Sequence, residues 1–590
     1  MASTNRSILV PAAKPFISTW KTDNLSTGSS NNNQVKLPLM PNGTYLFNVN
    51  WGDGSSNTIT TWNQAETTHT YSAIGTYTIT IRGYINGWSF AAISPATGAT
   101  GDRLKLLTIT QWGCLQFNSI ITDSTINSGA FYNCTNLTLL TVSDTPNFKG
   151  STSTFNFLRG CTALTLINNV NKWDVSGITY FRSTFRECTN FNDNIGNWNT
   201  AKGTNMGIMF YGSTAATIAG KFNNGGSSSI GNWNTSNVTD MANMFQYQPS
   251  FNHNLGAWDM SKVTNMNSMF SGCTVAPFGL FDNGSSDSIN NWDTSNVTTM
   301  TAVFQYQPSF NRNIVNWNTS NVTSMNGMFN CSTLGPAGIF NKDISNWNTS
   351  KVTTMNAMFY YQNLFNQEIG KWNVGNVTDM SFMVGTGAGT GVFTNAGSNS
   401  IKNWNTSKVT TMVSMFQLQT EFNQEIGTWD VSKVTTFLSF LYGYNGTVPV
   451  GKFNNGGTTS INNWNLSSNL SIDRMFFGQP LFNQPINSWN TTTVTNMGNT
   501  FTYCYAFNQP IGNWNVSNVT NFSGNFMNYK TFNDYSTANY DALLIGWASR
   551  PVKPNLSINF NTIKRTAAST AARLILTSAP NNWTIVDGGI

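Results

Sequence analysis

Chemistry in this chain would have to come from few groups. Among 590 residues there are two histidines, His69 and His253, seven cysteines and 24 carboxylates. Acyl or phosphoryl transfer asks for a nucleophile with a base beside it, a carboxylate pair or a metal. His69 belongs to a His69-Thr-Tyr71 stretch, and His253 fills a repeated corner that holds Arg312 or Gln367 elsewhere. Glu368 and Glu425 share one repeated position; Asp174, Asp259, Asp293 and Asp430 share another. Carboxylates that recur in register read as capping or solvated groups rather than catalysts. No His/Cys spacing fits zinc, and no glycine-rich loop ending in Lys fits a phosphate. Asp53, between Gly52 and Gly54, offers an oxygen to calcium, but an Asp-Gly turn already explains it. No catalytic, cofactor-binding or metal residue is assigned, no cofactor is implied, the binding residues are unknown, and the chain is expected not to be an enzyme.

What the sequence does specify is repetition. Phe-Asn, then Ile, then Trp-Asn/Asp-Thr/Val-Ser, then Val-Thr, then Met-x-x-Met-Phe returns throughout. Thirteen tryptophans mark it: Trp173, Trp198, Trp233, Trp258, Trp292, Trp317, Trp347, Trp372, Trp404, Trp429, Trp464, Trp489 and Trp514, in steps of 25 to 35 residues. A fixed period of that size predicts a solenoid, whose coils bury their apolar faces only by stacking. Ile-x-x-Trp-Asn-Thr/Val reads as a short strand. Met-x-x-Met-Phe places apolar residues at i, i+3 and i+4, one face of a short helix, with Thr or Ser before it as a cap. The tryptophans, in fixed register beside Ile and Val, are expected in the core rather than on a sugar-binding surface. The Asn of Phe-Asn predicts an amide ladder for main-chain groups that nothing else reaches. Alternate coils carry inserts between Met-Phe and the next Phe, as in Phe270 to Phe281. These would form a ridge of contact loops or of mere spacers.

Six of the seven cysteines fall at about one place in the coil, Cys134, Cys161 and Cys188 at intervals of 27 residues. A small buried side chain at a tight corner explains that better than a disulfide or a metal. Asn-Val-Thr triplets such as Asn237-Val-Thr239 match the glycosylation pattern but arise from the repeat itself.

The boundaries follow. Residues 1–15 are expected to be a flexible arm. Residues 16–100 alternate with period two, as in Tyr45-Leu-Phe-Asn-Val-Asn-Trp51 and Gly75-Thr-Tyr-Thr-Ile-Thr-Ile81, and predict an all-β sandwich. The repeats occupy 101–534, and 535–590 leave the pattern as a C-terminal cap. Trp51-Gly-Asp-Gly54, His69-Thr-Tyr71 and Gly75-Thr-Tyr77 resemble the PKD family of immunoglobulin-like domains. With the repeat Asn-Trp-Asn-Thr-Ser-Asn-Val-Thr-x-Met-x-x-Met-Phe, residues 16–590 as a whole resemble BspA-like leucine-rich repeat surface proteins. That resemblance implies an α/β solenoid behind an immunoglobulin-like sandwich, and an extracellular, non-catalytic role in adhesion and protein contact.

Only 9% of residues are charged, so amides and hydroxyls must solvate the surface, which suits exposure outside cells or on virus particles. The net charge of +6 is spread out, whereas a nucleic-acid binder concentrates basic residues on one face. No run of about 20 apolar residues predicts a membrane span, and neither a signal peptide nor an anchor is seen. The expected partner is therefore a protein or glycan on another cell, matrix or particle, with nucleic acid excluded. Localisation is expected to be extracellular, on a cell surface or on a virion. The alternatives are a structural or host-attachment protein of a virus particle or surface layer, docked through its N-terminal region and assembling with other chains, and a polysaccharide-binding module.

Overall fold

Alternating residues in the N-terminal region do become strands with one buried face. A computed structural model describes residues 14–91, 98–117, 129–213, 219–331, 334–523, 525–531 and 533–590. All but Lys14 and Pro15 of the expected arm therefore lies outside the described residues. The chain divides into two compact units, residues 1–263 and 264–590, each described in turn.

The first unit opens with β1 (Phe16–Lys21), β2 (Gln34–Lys36), β3 (Leu39–Asn50), β4 (Ser56–Ile59), β5 (Thr68–Thr70), β6 (Thr76–Trp88), β7 (Leu106–Gln111) and β8 (Leu115–Gln116). Six of them form one sheet, β4-β3-β6-β1-β7 with β8 parallel to β6, and β2 pairs with β5 separately. The sheet thus takes in β7 and β8, beyond residue 100. Phe16, Trp20, Phe47, Val49, Ile79, Ile81, Ile85 and Trp88 point from it into the core. Lys105, without sequence signal, is a buried tie: its Nζ donates to the carbonyls of Ser30, Asn31 and Gln34 at 2.8–3.0 Å and lies 3.3 Å from Asp102.

Tandem repeats follow in both units, and among the described residues they contain neither the strand nor the helix expected. Ile314 to Trp317 is closed by a turn, Trp317 N–H to Ile314 O at 3.1 Å; in long coils the same segment is a short 3₁₀ turn, as at Asp287–Asn291. The residue after Val-Thr pairs in parallel from coil to coil. In the second unit that column runs through Thr299, Ser324, Thr354, Asp379, Thr411, Thr436, Ser471, Asn496 and Asn521. Met-x-x-Met-Phe is a β-turn rather than a helix. Met328 N–H returns to Met325 O at 3.3 Å, while Met325, Gly327 and Phe329 donate instead to Thr354, Asn356 and Met358 of the next coil at 2.8–3.2 Å. An α-helix would keep those amides for itself. A four-residue turn also brings i, i+3 and i+4 to one side, so the apolar spacing could not separate the two. The backbone could: the third residue of the turn is left-handed in coil after coil, at Asn243, Ser268, Ala302, Ala357, Ser414 and Asn499. The expected helix cap becomes a local turn, as where Asp240 Oδ1 accepts from Ala242 N at 3.0 Å.

The apolar positions otherwise point where the repeat put them. Around Trp317, the residues Phe310, Ile314, Val322, Met325, Met328 and Phe329 are all buried. Indoles stack in parallel, Trp173 on Trp198 at 5.9 Å in the first unit and Trp489 on Trp514 at 5.9 Å in the second. Indole N–H groups of the second unit donate to an isoleucine carbonyl one coil back, as Trp317 to Ile289 and Trp429 to Ile401, both at 2.8 Å. Threonines form a further column: Thr323 N and Oγ1 both reach Thr298 O, at 2.9 and 3.0 Å.

The second unit ends in α1 (Thr537–Ala548), β9 (Ser557–Asn559), α2 (Thr570–Thr577) and β10 (Thr584–Val586), with β9 and β10 parallel. Trp547 of α1 donates to Ile511 O at 3.4 Å, so a helix takes over the indole position of one more coil. Asp541 accepts from Thr566 N, Thr566 Oγ1 and Ser569 Oγ, which ties α1 to the start of α2.

Candidate functional site

The closest approach to a catalytic grouping is in the N-terminal sheet region. His69 Nε2 lies 2.8 Å from Asp53 Oδ2 and 3.5 Å from Ser55 Oγ. A Ser-His-Asp relay needs the carboxylate on one ring nitrogen and the hydroxyl on the other; here both address the same nitrogen. Ser55 also spends its hydroxyl on Asp53 Oδ1 at 2.6 Å. The slight burial of Asp53 opposes ionisation, but the Ser55 hydroxyl, His69 and the Ser55 amide outweigh it and hold the carboxyl down at about 2. Both carboxylate oxygens are thus taken by protein donors. His69 itself stacks on Trp51 at 4.8 Å and meets Tyr71 edge-on at 4.5 Å, which makes it a buttress of the turn. Among the described residues no group of three His, Cys, Asp or Glu is placed to hold a metal ion.

His253 is likewise a corner residue, its Nε2 2.9 Å from Asn223 O. Arg312 in the second unit uses the equivalent place to reach Asp282 at 2.6 Å. The repeated aspartates cap local turns. Asp174 accepts from Ser176 Oγ and N, Asp259 from Ser261 N, and Asp430 from Ser432 N; in each the serine hydroxyl first, and then its amide, holds the carboxyl below the ordinary range. Asp293 Oδ1 accepts from Ser295 N at 3.0 Å. Glu368 and Glu425 accept from Ser400 and Ser460 of the next coil.

The asparagine ladder is present as an amide column. Asn341 Oδ1 accepts from Asn366 N at 2.9 Å, and Asn483 Oδ1 from Asn508 N at 2.9 Å. The sequon asparagines also serve the stack: Asn321 Nδ2 donates to Ser295 O and Asn376 Nδ2 to Ser350 O, both at 2.7 Å. All seven cysteines are buried and unpaired. Cys188 and Cys504 donate their thiols to a carbonyl one coil back, and burial pushes both up to about 12, away from reactivity.

One buried polar device escaped the sequence reading. In coils that follow an insert, a glutamine replaces the cysteine. Gln362 Oε1 accepts from Phe340 N at 2.9 Å while its Nε2 donates to Phe329 O. Gln248, Gln307, Gln419 and Gln479 repeat the pair of bonds. The amide bridges the two backbone groups that the insert has pulled apart. In the last coil, Lys530 holds the carbonyls of Cys504 and Tyr505 from a buried position. Burial brings its ammonium down from 10.5 to about 8. The unfolded chain therefore holds the extra proton between those values, and stability should rise as pH goes from 8 towards 10. Denaturant unfolding midpoints across that window should climb for the native chain and flatten for Lys530→Met.

What remains for a partner is surface. The position just before Phe-Asn leaves Leu280, Ile339, Leu364, Val392 and Leu481 exposed at equivalent places in the second unit, with Leu364 at 52%. Inserts there pack on one another, Phe278 against Gly335, where a Cβ would sit 2.5 Å from the ring. A second patch gathers Tyr442, Tyr444, Phe477, Tyr503, Tyr505 and Tyr529, partly or well exposed. Tyr444 comes from an insert hairpin and reaches Tyr503, two coils away, at 4.8 Å. Neither patch was foreseen. Among the described residues no helix is long and apolar enough to cross a membrane.

A family model described as "Mycoplasma protein of unknown function, DUF285" matches residues 128–225, 152–277, 277–391, 390–455 and 450–543. No curated protein and no solved structure matches the sequence. The five matches coincide with the stacked coils and leave out the N-terminal sheet and α2, and they cover well over half of the chain, which therefore belongs to this DUF285 repeat family.

Proposed function

We propose that the chain is a non-enzymatic binding protein exposed outside the cell, in which a PKD-like β-domain precedes a solenoid that holds a broad surface rigid for a protein partner. The observation that carries this reading is the aliphatic row of Leu280, Ile339, Leu364 and Val392, left in water at equivalent places in the second unit. Apolar side chains held in register on a stiff support lose little entropy on docking, which favours affinity through many contacts. The occupied His69 and His253 rings support a binding role over a hydrolytic one. A polysaccharide module draws less support, because the thirteen repeat tryptophans are buried and the surface tyrosines Tyr444, Tyr503 and Tyr529 cover one another's faces.

The test is adhesion of the immobilised full chain to whole cells and to extracellular matrix proteins, beside Ile339→Asn/Leu364→Asn/Val392→Asn. The native chain should bind and the triple variant should lose most of that binding while keeping its unfolding midpoint. Equal binding by both would remove the row as the contact. Failure of the native chain to bind, together with its recovery in a particle or surface layer, would favour the structural role.

A further inference from the structure

The surface tyrosines of the second unit are arranged for a reaction that the buried phenylalanine ladder cannot undergo. Tyr503 lies between two others, 4.8 Å from Tyr444 with ring planes 5° apart and 4.2 Å from Tyr529 with planes 9° apart. The interior phenylalanine pairs sit as close, Phe501 and Phe507 at 4.1 Å, but carry no phenol and are buried. Tyr529 is 50% exposed and Tyr503 partly so, so an oxidant in solution reaches them. We infer that Tyr503 and Tyr529 form an oxidative cross-linking site, which a peroxidase or another one-electron oxidant converts to dityrosine.

The step balances. Each phenol gives one electron to the oxidant and one proton to water, leaving a phenoxyl radical with spin on the carbons ortho to oxygen. The two ortho carbons, Cε of each ring, form one C–C bond. The hydrogen on each joined carbon then moves to the phenol oxygen as the rings regain aromaticity. Two electrons and two protons leave in all, and one hydrogen peroxide accepts them to become two waters. Both residues stand on adjacent coils, so the bond closes one coil on the next. The N-terminal region supplies an internal contrast. Tyr71 and Tyr77 stack even closer, at 3.7 Å and 14°. Tyr71, however, is buried and donates its hydroxyl to Trp51 O at 2.9 Å, a carbonyl that carries no proton away.

The experiment treats the full chain, dilute enough to stay monomeric, with peroxidase and hydrogen peroxide. Dityrosine fluorescence, intact mass and peptide mapping of the monomer are the readouts. The expected product is a monomer lighter by two hydrogens whose linked peptides contain Tyr503 and Tyr529. Tyr529→Phe should lose most of the fluorescence, and Tyr77→Phe none. Both are single-oxygen deletions, and an unfolding midpoint matching the native chain shows that each variant folds. Fluorescence confined to dimers, a link mapped to Tyr71 and Tyr77, or undiminished fluorescence in Tyr529→Phe would each overturn the assignment.

Discussion

Trp317→Ala is expected to lower the stability of the second unit by about 3–5 kcal/mol, the range for removing a large buried aromatic ring. The ring is 2% exposed, lies parallel to Trp292 at 5.8 Å and touches Phe304 at 5.9 Å. Its removal leaves a void between rigid coils that cannot collapse independently. The carbonyl of Ile289, 2.8 Å from Nε1, also loses its donor. Trp317→Phe separates the two effects: it keeps most of the volume and forfeits the hydrogen bond, for about 1–3 kcal/mol. Guanidinium unfolding followed by circular dichroism reads both. A loss for the alanine variant below about 1 kcal/mol, the level of an ordinary surface substitution, would place this indole outside the core.

Gln362→Ala is the second large effect, about 2–6 kcal/mol, because it strands two buried backbone groups, Phe340 N–H and Phe329 C=O, at about 1–3 kcal/mol each. Gly338 makes the test sharper. A Cβ there would lie 2.1 Å from Gln362 Nε2, so Gly338→Ala alone should also destabilise. In the double variant the alanine methyl enters space that the amide has left, and the two losses should sum to less than their parts. Additive losses in the unfolding midpoints would mean that the two residues do not share that space.

Much of this architecture was legible because the repeat samples each position many times. The inward Trp, Ile, Val, Met and Phe, the asparagine column and the corner role of His253 all follow from register. Secondary structure did not, because an i, i+3, i+4 apolar pattern describes linked β-turns as well as a helical turn. The left-handed residues that distinguish them, such as Ala357, Ser414 and Tyr361, are not types that advertise that conformation. The glutamines were readable in principle. Gly220, Gly279, Gly338, Gly391 and Gly451 each stand two before a Phe of an insert-bearing coil, with a Gln 24 or 28 residues on. Only the closeness of glycine to amide, as at Gly279 and Gln307, gives that coincidence a cause. The exposed aliphatic and tyrosine patches were hidden for another reason: Leu364 and Leu481 look like core residues until the fold leaves their position outside.

The hydrogen-bond columns also decide how the second unit would answer force. Between neighbouring coils the threonine, turn, asparagine and indole bonds run side by side, as at Thr323, Phe329, Asn366 and Trp317. A load drawn along the stack strains all four columns together, whereas a load at one edge opens them one after another. A tether that pulls end to end should therefore hold far longer than one that peels the terminal coil, which makes the direction of attachment, more than the strength of any one bond, what sets mechanical resistance.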